Sequence, residues 1–315
     1  MPSISRYLVT GCAGFIGSHL VEALLDRRDH VLGVDSFSDY YPRRSKERNL
    51  IGVRERPGFE LVEADLAEAA LIDLVGSVDG VFHLAAQPGV RGSWGETFAL
   101  YARDNVIATQ RIFEAATQTG RRVAWASSSS VYGDAESYPT SEDVRPRPIS
   151  PYGVTKLSCE HLAGAYAATR SLDAVALRYF TVYGPRQRPD MAFSRIVAAL
   201  AEGAAFHVFG TGEQTRDVTY VADAVSATLA AMERAPAGAV YNIGGGSETT
   251  LLDVISVSER LSRRRLELRF EPESPGDVRR TSADTATARA DLGWEPQVAL
   301  EDGLRAQLKA HSLVP

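Results

Sequence analysis

Apolar residues fall in short runs along the first 180 positions, and the stretches between them are amphipathic. Positions 6–10, 31–34, 60–63, 78–84, 123–127 and 174–179 are runs of four to seven residues rich in Val, Leu and Ala, and they predict strands buried on both faces. Positions 15–25 carry apolar residues at helical spacing, and longer helices are predicted over about 97–119 and 151–169. The Pro-rich, polar stretch 134–150 predicts a loop. Strands alternating with helices predict an α/β fold built on a doubly wound parallel sheet. Beyond Gly184 the alternation loosens and Pro, Gly and Arg recur, which predicts a smaller, mixed α/β region for substrate on the C-terminal side. The expected division is 1–180 for the sheet domain, with about 215–240 returning to it, and 181–214 plus 241–315 for the smaller region.

The first predicted turn carries chemistry. Gly11, Gly14 and Gly17 follow a strand and open a helix, a spacing that lets backbone approach a pyrophosphate at a helix N-terminus. The spacing is one residue longer than GxGxxG. The next strand ends in Asp35, placed for ribose hydroxyls, and no Arg adjoins it in sequence, which favours NAD over NADP. Asp65 and Leu66, at the end of the third strand, are expected at the adenine.

A second feature is Tyr152 followed four residues later by Lys156. The chain has 31 Arg and only three Lys, Lys46, Lys156 and Lys309, so a Lys at this position is a departure from habit. Residues i and i+4 share a helix face, and an ammonium beside a phenol favours the phenolate, a proton acceptor usable near neutral pH. Upstream, Ser127 to Ser130 sit at a predicted strand end, where open α/β sheets bind ligands.

The composition narrows the class. Of 315 residues, 44% are hydrophobic and 23% charged, which is ordinary for a globular protein. A net charge of -6 argues against broad nucleic-acid binding. No basic-then-apolar leader and no run near the ~20 apolar residues of a membrane span is visible, and Cys12 and Cys159 form no CxxC, so a cytoplasmic protein with reduced thiols and no metal site is expected.

Together these pieces resemble the extended short-chain dehydrogenase/reductase family, in its NAD-dependent nucleotide-sugar epimerase and dehydratase branch. The resemblance rests on Gly11-x-x-Gly14-x-x-Gly17, Asp35, His83-Leu-Ala-Ala86, Ser127-Ser-Ser-Ser-Val-Tyr-Gly133, Tyr152-x-x-x-Lys156, Arg178 to Pro185, Arg216-Asp217 and Asn242-Ile-Gly244, and it spans nearly the whole chain. It implies a Rossmann domain binding NAD through Gly11, Gly14, Phe15, Ile16, Gly17, Asp35, Asp65, Leu66, Ala85, Ala86, Asn105, Tyr152, Lys156 and Phe180. It implies Tyr152 as catalytic base, Ser128 and Ser130 as hydroxyl partners, and Lys156 as the group that supports Tyr152 and holds the nicotinamide ribose. For a UDP-sugar it implies contacts from Arg91, Ser128, Ser130, Thr181, Arg188, Phe209, Arg216, Asp277 and Arg279. Many relatives carry Arg where this chain has Ser274; Arg279 or Arg280 is the expected substitute. A homodimer through a four-helix interface is also implied, with Leu157, Leu162 and Tyr166 as candidate apolar positions.

Within the branch, 4,6-dehydratases carry Thr-Asp-Glu where this chain has Ser128-Ser129-Ser130, and uronate decarboxylases usually carry Glu at the position of Ser130. The runs 38–46, 181–192 and 275–284 are most similar to UDP-glucuronate 4-epimerases, in which Thr181 and Arg188 would grip the sugar carboxylate; relatives often have Trp-Gly where Arg186-Gln187 stands. The implied reaction is transient oxidation at C4, turnover of the 4-keto sugar and return of the hydride to its other face. The alternatives are a 4-epimerase of neutral UDP-hexoses, a decarboxylase and, least favoured, a non-enzymatic NAD-binding regulator.

Overall fold

The computed structural model describes residues 4–272, 276 and 278–314. Strand β1 (Arg6–Thr10) leads through the glycine loop into α1 (Phe15–Asp26), then β2 (His30–Asp35), α2 (Arg43–Asn49), β3 (Phe59–Glu63), α3 (Leu71–Gly76) and β4 (Gly80–His83). A continuous helical stretch follows: α4 (Phe98–Tyr101), a π-helical turn (Ala102–Ile107) and α5 (Ala108–Thr119). Next come β5 (Arg122–Ser128), α6 (Pro151–Arg170) and β6 (Ala174–Tyr179). These bounds lie within a few residues of those the hydrophobic pattern predicts.

The second half contributes β7 (Thr181–Tyr183), α7 (Ala192–Glu202), β8 (Phe206–Phe209), β9 (Thr215–Tyr220), α8 (Val221–Arg234), β10 (Val240–Ile243), β11 (Glu248–Thr250), α9 (Leu251–Ser262), β12 (Leu268–Glu271), α10 (Ala286–Leu292) and α11 (Leu300–Lys309). Seven strands form one parallel sheet in the order β10-β6-β5-β4-β1-β2-β3. Side chains alternate across it. Val9, Phe82, Ala124 and Leu177 meet α1 and α8 on one face; Leu8, Val81, Trp125 and Ala176 meet α3 and α5 on the other.

The return to this sheet differs from expectation. The returning segment is 221–243: α8 covers the sheet and β10 is its edge strand beside β6, while β9 pairs with β7 and β11 in a separate three-stranded sheet. A strand of four to six residues does not record in its own sequence which neighbour it pairs with. Helix α10 also leaves the C-terminal lobe, burying Ala288 and Leu292 in the large core. The smaller lobe has its own core, built from Tyr183, Phe193, Ile196, Val208, Val254 and Leu304.

Candidate active site

A cleft of about 710 Å³ runs along the carboxyl ends of the parallel strands and under the smaller lobe. Gly11, Gly14, Phe15, Ile16, Gly17, Asp35, Asp65, Leu66, Ala85, Ala86, Ser128, Ser130, Tyr152, Lys156 and Phe180 all line it, as do Arg91, Thr181, Arg188, Phe209 and Arg216. Residues drawn from most of the chain thus converge on one cavity.

At one end the glycines are dictated by backbone packing. A Cβ on Gly17 would lie 2.1 Å from the Gly11 carbonyl oxygen, and one on Gly11, at φ +70°, 2.8 Å from the Ala85 nitrogen. Gly14 caps α1 without a side-chain acceptor, and no acidic residue stands in the first turn. The helix therefore turns its N-terminal N–H groups and positive dipole end to the cleft, which suits a diphosphate. Asp35 closes the β2 end. Its carboxylate accepts from Ala13 N at 3.1 Å and Phe37 N at 2.8 Å, and Lys46 Nζ stands 3.8 Å away. Burial raises the Asp35 pKa while Lys46 opposes that shift. The sequence shows no cation adjoining Asp35; the fold supplies Lys46, which also donates to Ser38 at 3.1 Å. Asp65 accepts from Ala67 N at 2.8 Å and pairs with Arg103.

Asn105 is a correction. It is 1% exposed and does not line the cleft. Its side chain accepts from Gln87 N at 2.7 Å and donates to Gln87 O and Thr155 Oγ1 at 3.1 and 3.0 Å. It lies in the π-helical turn, where an extra residue per turn rotates the face it presents. It braces the β4 loop against α6.

The central residues come from β5 and α6. Ser150 caps α6 by accepting from Gly153 N at 3.1 Å, and Pro151 starts the helix, so Tyr152 falls in the first turn and Lys156 one turn below. Lys156 Nζ donates to the Ala126 carbonyl at 2.8 Å and lies 6.0 Å from the Tyr152 ring centre. Tyr101 packs edge-on to Tyr152 at 6.3 Å. Ser128 Oγ accepts from Ser130 N at 3.1 Å, leaving its own proton to donate. Ser127, equally eligible by sequence, donates instead to Glu160, the partner of Arg178 in a buried ion pair.

The far end is cationic and aromatic. Arg91 stacks on Phe209 with its guanidinium 4.3 Å from the ring centre, and Arg195, which the sequence reading overlooks, lies 5.8 Å from the same ring. Burial and Arg91 lower the pKa of Arg195. Its signal in sequence is one Arg on the mostly apolar first turns of α7. Arg279 and Arg280 are not in this group. Arg279 is exposed outside the cleft, and Arg280 grips Glu248 with two bonds of 2.7 and 2.6 Å. Asp277 and Ser274 lie outside the described residues.

The Arg186-Gln187 pair reshapes the loop before Arg188. Arg186 takes a left-handed φ of +64° and bonds Glu22 of α1 at 2.6 Å. Gln187 is buried, donating to Val182 O and accepting from Ser194 N, both at 2.9 Å. Arg188 is thereby carried on a loop tied to both lobes.

The sequence matches the NAD dependent epimerase/dehydratase family over residues 7–244. A Bacillus subtilis protein described as an uncharacterized UDP-glucose epimerase is 41% identical over 306 residues, covering 96% of each chain. A UDP-glucose 4-epimerase of Mycolicibacterium smegmatis is 38% identical over 95% of this chain and 96% of its own. The crystal structure of a UDP-glucuronic acid 4-epimerase from Bacillus cereus, in complex with UDP-glucuronic acid and NAD, superposes with a TM-score of 0.94 at 43% identity, covering 98% of this chain and 99% of that one.

Proposed function

Since the chain belongs to the NAD dependent epimerase/dehydratase family, we propose that it is an NAD-dependent 4-epimerase interconverting UDP-glucuronate and UDP-galacturonate. The observation that carries the uronate reading is Arg188. It lines the same cleft as Tyr152 and Thr181, and its side chain is only 20% exposed. A guanidinium there suits a sugar carboxylate and has no use for a neutral hydroxymethyl group.

The glycine loop and α1 hold the cofactor diphosphate, Asp35 its adenosine ribose, Asp65 and Leu66 its adenine, and Lys156 the nicotinamide ribose. Bound NAD+ supplies the acceptor for the C4 hydride and the store from which it returns. Tyr152 takes the C4 hydroxyl proton, and Ser128 donates to the same oxygen. Phe209 stacks on the uracil in place of Arg91, which, with Arg195 and Arg216, then faces the UDP diphosphate. Thr181 and Arg188 hold the carboxylate. With Ser128-Ser129-Ser130 in place of acidic groups, the chain lacks the acid and base that dehydration requires.

Among the described residues no helix is long and apolar enough to cross a membrane. With both cysteines buried and unpaired, we place the protein in the cytoplasm.

The test is NMR of the products formed from UDP-glucuronate and from UDP-glucose without added NAD. UDP-galacturonate should appear, and Arg188→Ala should lower kcat/KM for the uronate far more than for the hexose, since truncating one side of a buried charge pair costs on the order of 2–5 kcal/mol. An unchanged ratio would move the neutral UDP-hexose 4-epimerase, the reading favoured by the names of two relatives, into first place.

A further inference from the structure

Arg188 already has a carboxylate partner within the protein. Asp190, two residues on, accepts from its Nε at 3.1 Å and from its Nη2 at 3.0 Å, so one edge of the planar guanidinium is filled. With Nε and one N–H of Nη2 on Asp190 and the Tyr40 hydroxyl also beside the guanidinium, Nη1 and the second N–H of Nη2 form the edge on which a second carboxylate would be received. Asp190 is itself oriented from the other lobe. Tyr40, on the loop between β2 and α2, donates its hydroxyl to Asp190 Oδ2 at 3.2 Å, and its ring lies 5.8 Å from the guanidinium carbon. Burial and the Asp190 charge both raise the Tyr40 pKa, so the phenol keeps the proton it donates. The backbone leaves room for this ring at Gly89, where a Cβ would stand 2.5 Å from the Tyr40 hydroxyl.

We infer that Asp190, steered by Tyr40, is the positioning residue that points Arg188 at the substrate carboxylate and so sets both uronate preference and retention of that carboxylate. The inference rests on the reading of the protein as a uronate 4-epimerase. The physical need is specific. Oxidation at C4 places a ketone β to the C6 carboxylate. If the C5–C6 bond aligns with the carbonyl π system, that bond breaks, CO2 leaves, and its electron pair enters the C4–C5 enolate. Protonation at C5 then gives a 4-keto pentose, which leaves as such or takes back the hydride as UDP-pentose. A guanidinium held by Asp190 on one edge grips the carboxylate in one orientation. A guanidinium free to rotate keeps the charge attraction and loses the orientation.

Asp190→Asn tests this, because the amide cannot accept from both Nε and Nη2. Its side chain is 38% exposed, so the fold should tolerate the change. Tyr40→Phe is the companion variant, retaining the ring and removing the steering hydroxyl. Each enzyme is incubated with UDP-glucuronate and, separately, UDP-glucose, and NMR counts UDP-galacturonate, UDP-pentose and 4-keto pentose. In Asp190→Asn the share of decarboxylated product should rise, and the uronate-to-glucose ratio of kcat/KM should fall roughly tenfold or more; Tyr40→Phe should move both the same way by less. A general loss of turnover with an unchanged product share would assign Asp190 to loop packing and overturn the inference. So would wild-type behaviour in Asp190→Asn. If the wild-type enzyme makes no UDP-galacturonate from UDP-glucuronate, the functional reading falls first and the inference with it.

Discussion

At the scale of single residues the site depends on what each polar atom is free to do. Ser127, Ser128 and Ser130 are chemically the same, but Ser127 is spent on Glu160 while Ser128 keeps a proton for the cleft. Tyr152 has no such competitor among its described contacts; it is held by an edge-on ring and stands one turn above a cation. Tyr152→Phe should therefore keep the fold and the bound nucleotide and lower turnover by ~10²–10⁴-fold. Activity within a few-fold of wild type, with nucleotide content unchanged, would remove Tyr152 from the role of base.

Elements determine how rigidly these groups are held. Strand β4 ends in His83, whose ring lies between Thr10 Oγ1 at 2.7 Å and Thr109 Oγ1 at 2.9 Å, tying β1 and α5 to the strand. Burial, with Lys156 adding to it, pushes its pKa down to about 3. Below its ordinary value of about 6.5 the unfolded chain takes up a proton that the folded chain refuses, so stability falls as pH falls. His83's contribution is complete above that value and is lost progressively toward about 3. Between about pH 7.5 and about pH 5.5 the loss from this residue should be on the order of 1 kcal/mol. Urea unfolding of wild type and His83→Gln at the two pH values measures it: the variant should show the smaller acid sensitivity, and equal sensitivities would place the acid lability elsewhere.

For the whole molecule, we propose that a second copy of the chain covers part of the apolar surface left in water. Of the residues expected from sequence to lie there, Leu162 and Tyr166 are partly buried against the core under the sheet and Leu157 against the cluster around Tyr132 and Phe180. Phe98, Leu100, Ile107 and Val154, between 41% and 50% exposed, are the large apolar side chains that α4, the π-helical turn and α6 leave most in water. A dimer pairing these helices in a four-helix interface would cover them. Light scattering at micromolar concentration should give about twice 34.1 kDa, and Ile107→Glu with Val154→Glu should give the monomer. A monomeric wild type would refute the interface.

Much of this protein is legible along the chain because its causes are local. Strand and helix bounds follow from periodicity, the glycine loop from backbone sterics at fixed spacing, and the Tyr152–Lys156 relation from the pitch of one helix. What the sequence leaves open are pairings between distant segments. Lys46 reaches Asp35, Tyr40 reaches Asp190, and Arg195 joins Arg91 over Phe209 only after the chain has folded. Asn105 is turned into the interior by one π-helical turn, a change of pitch that its polar character does not announce. Strands β9 and β10 are both short, and one enters the small sheet while the other completes the large one. Propensity and spacing act through neighbours in sequence, whereas strand partners and side-chain orientation are settled by which surfaces are buried together, and that is decided by the whole chain packing at once.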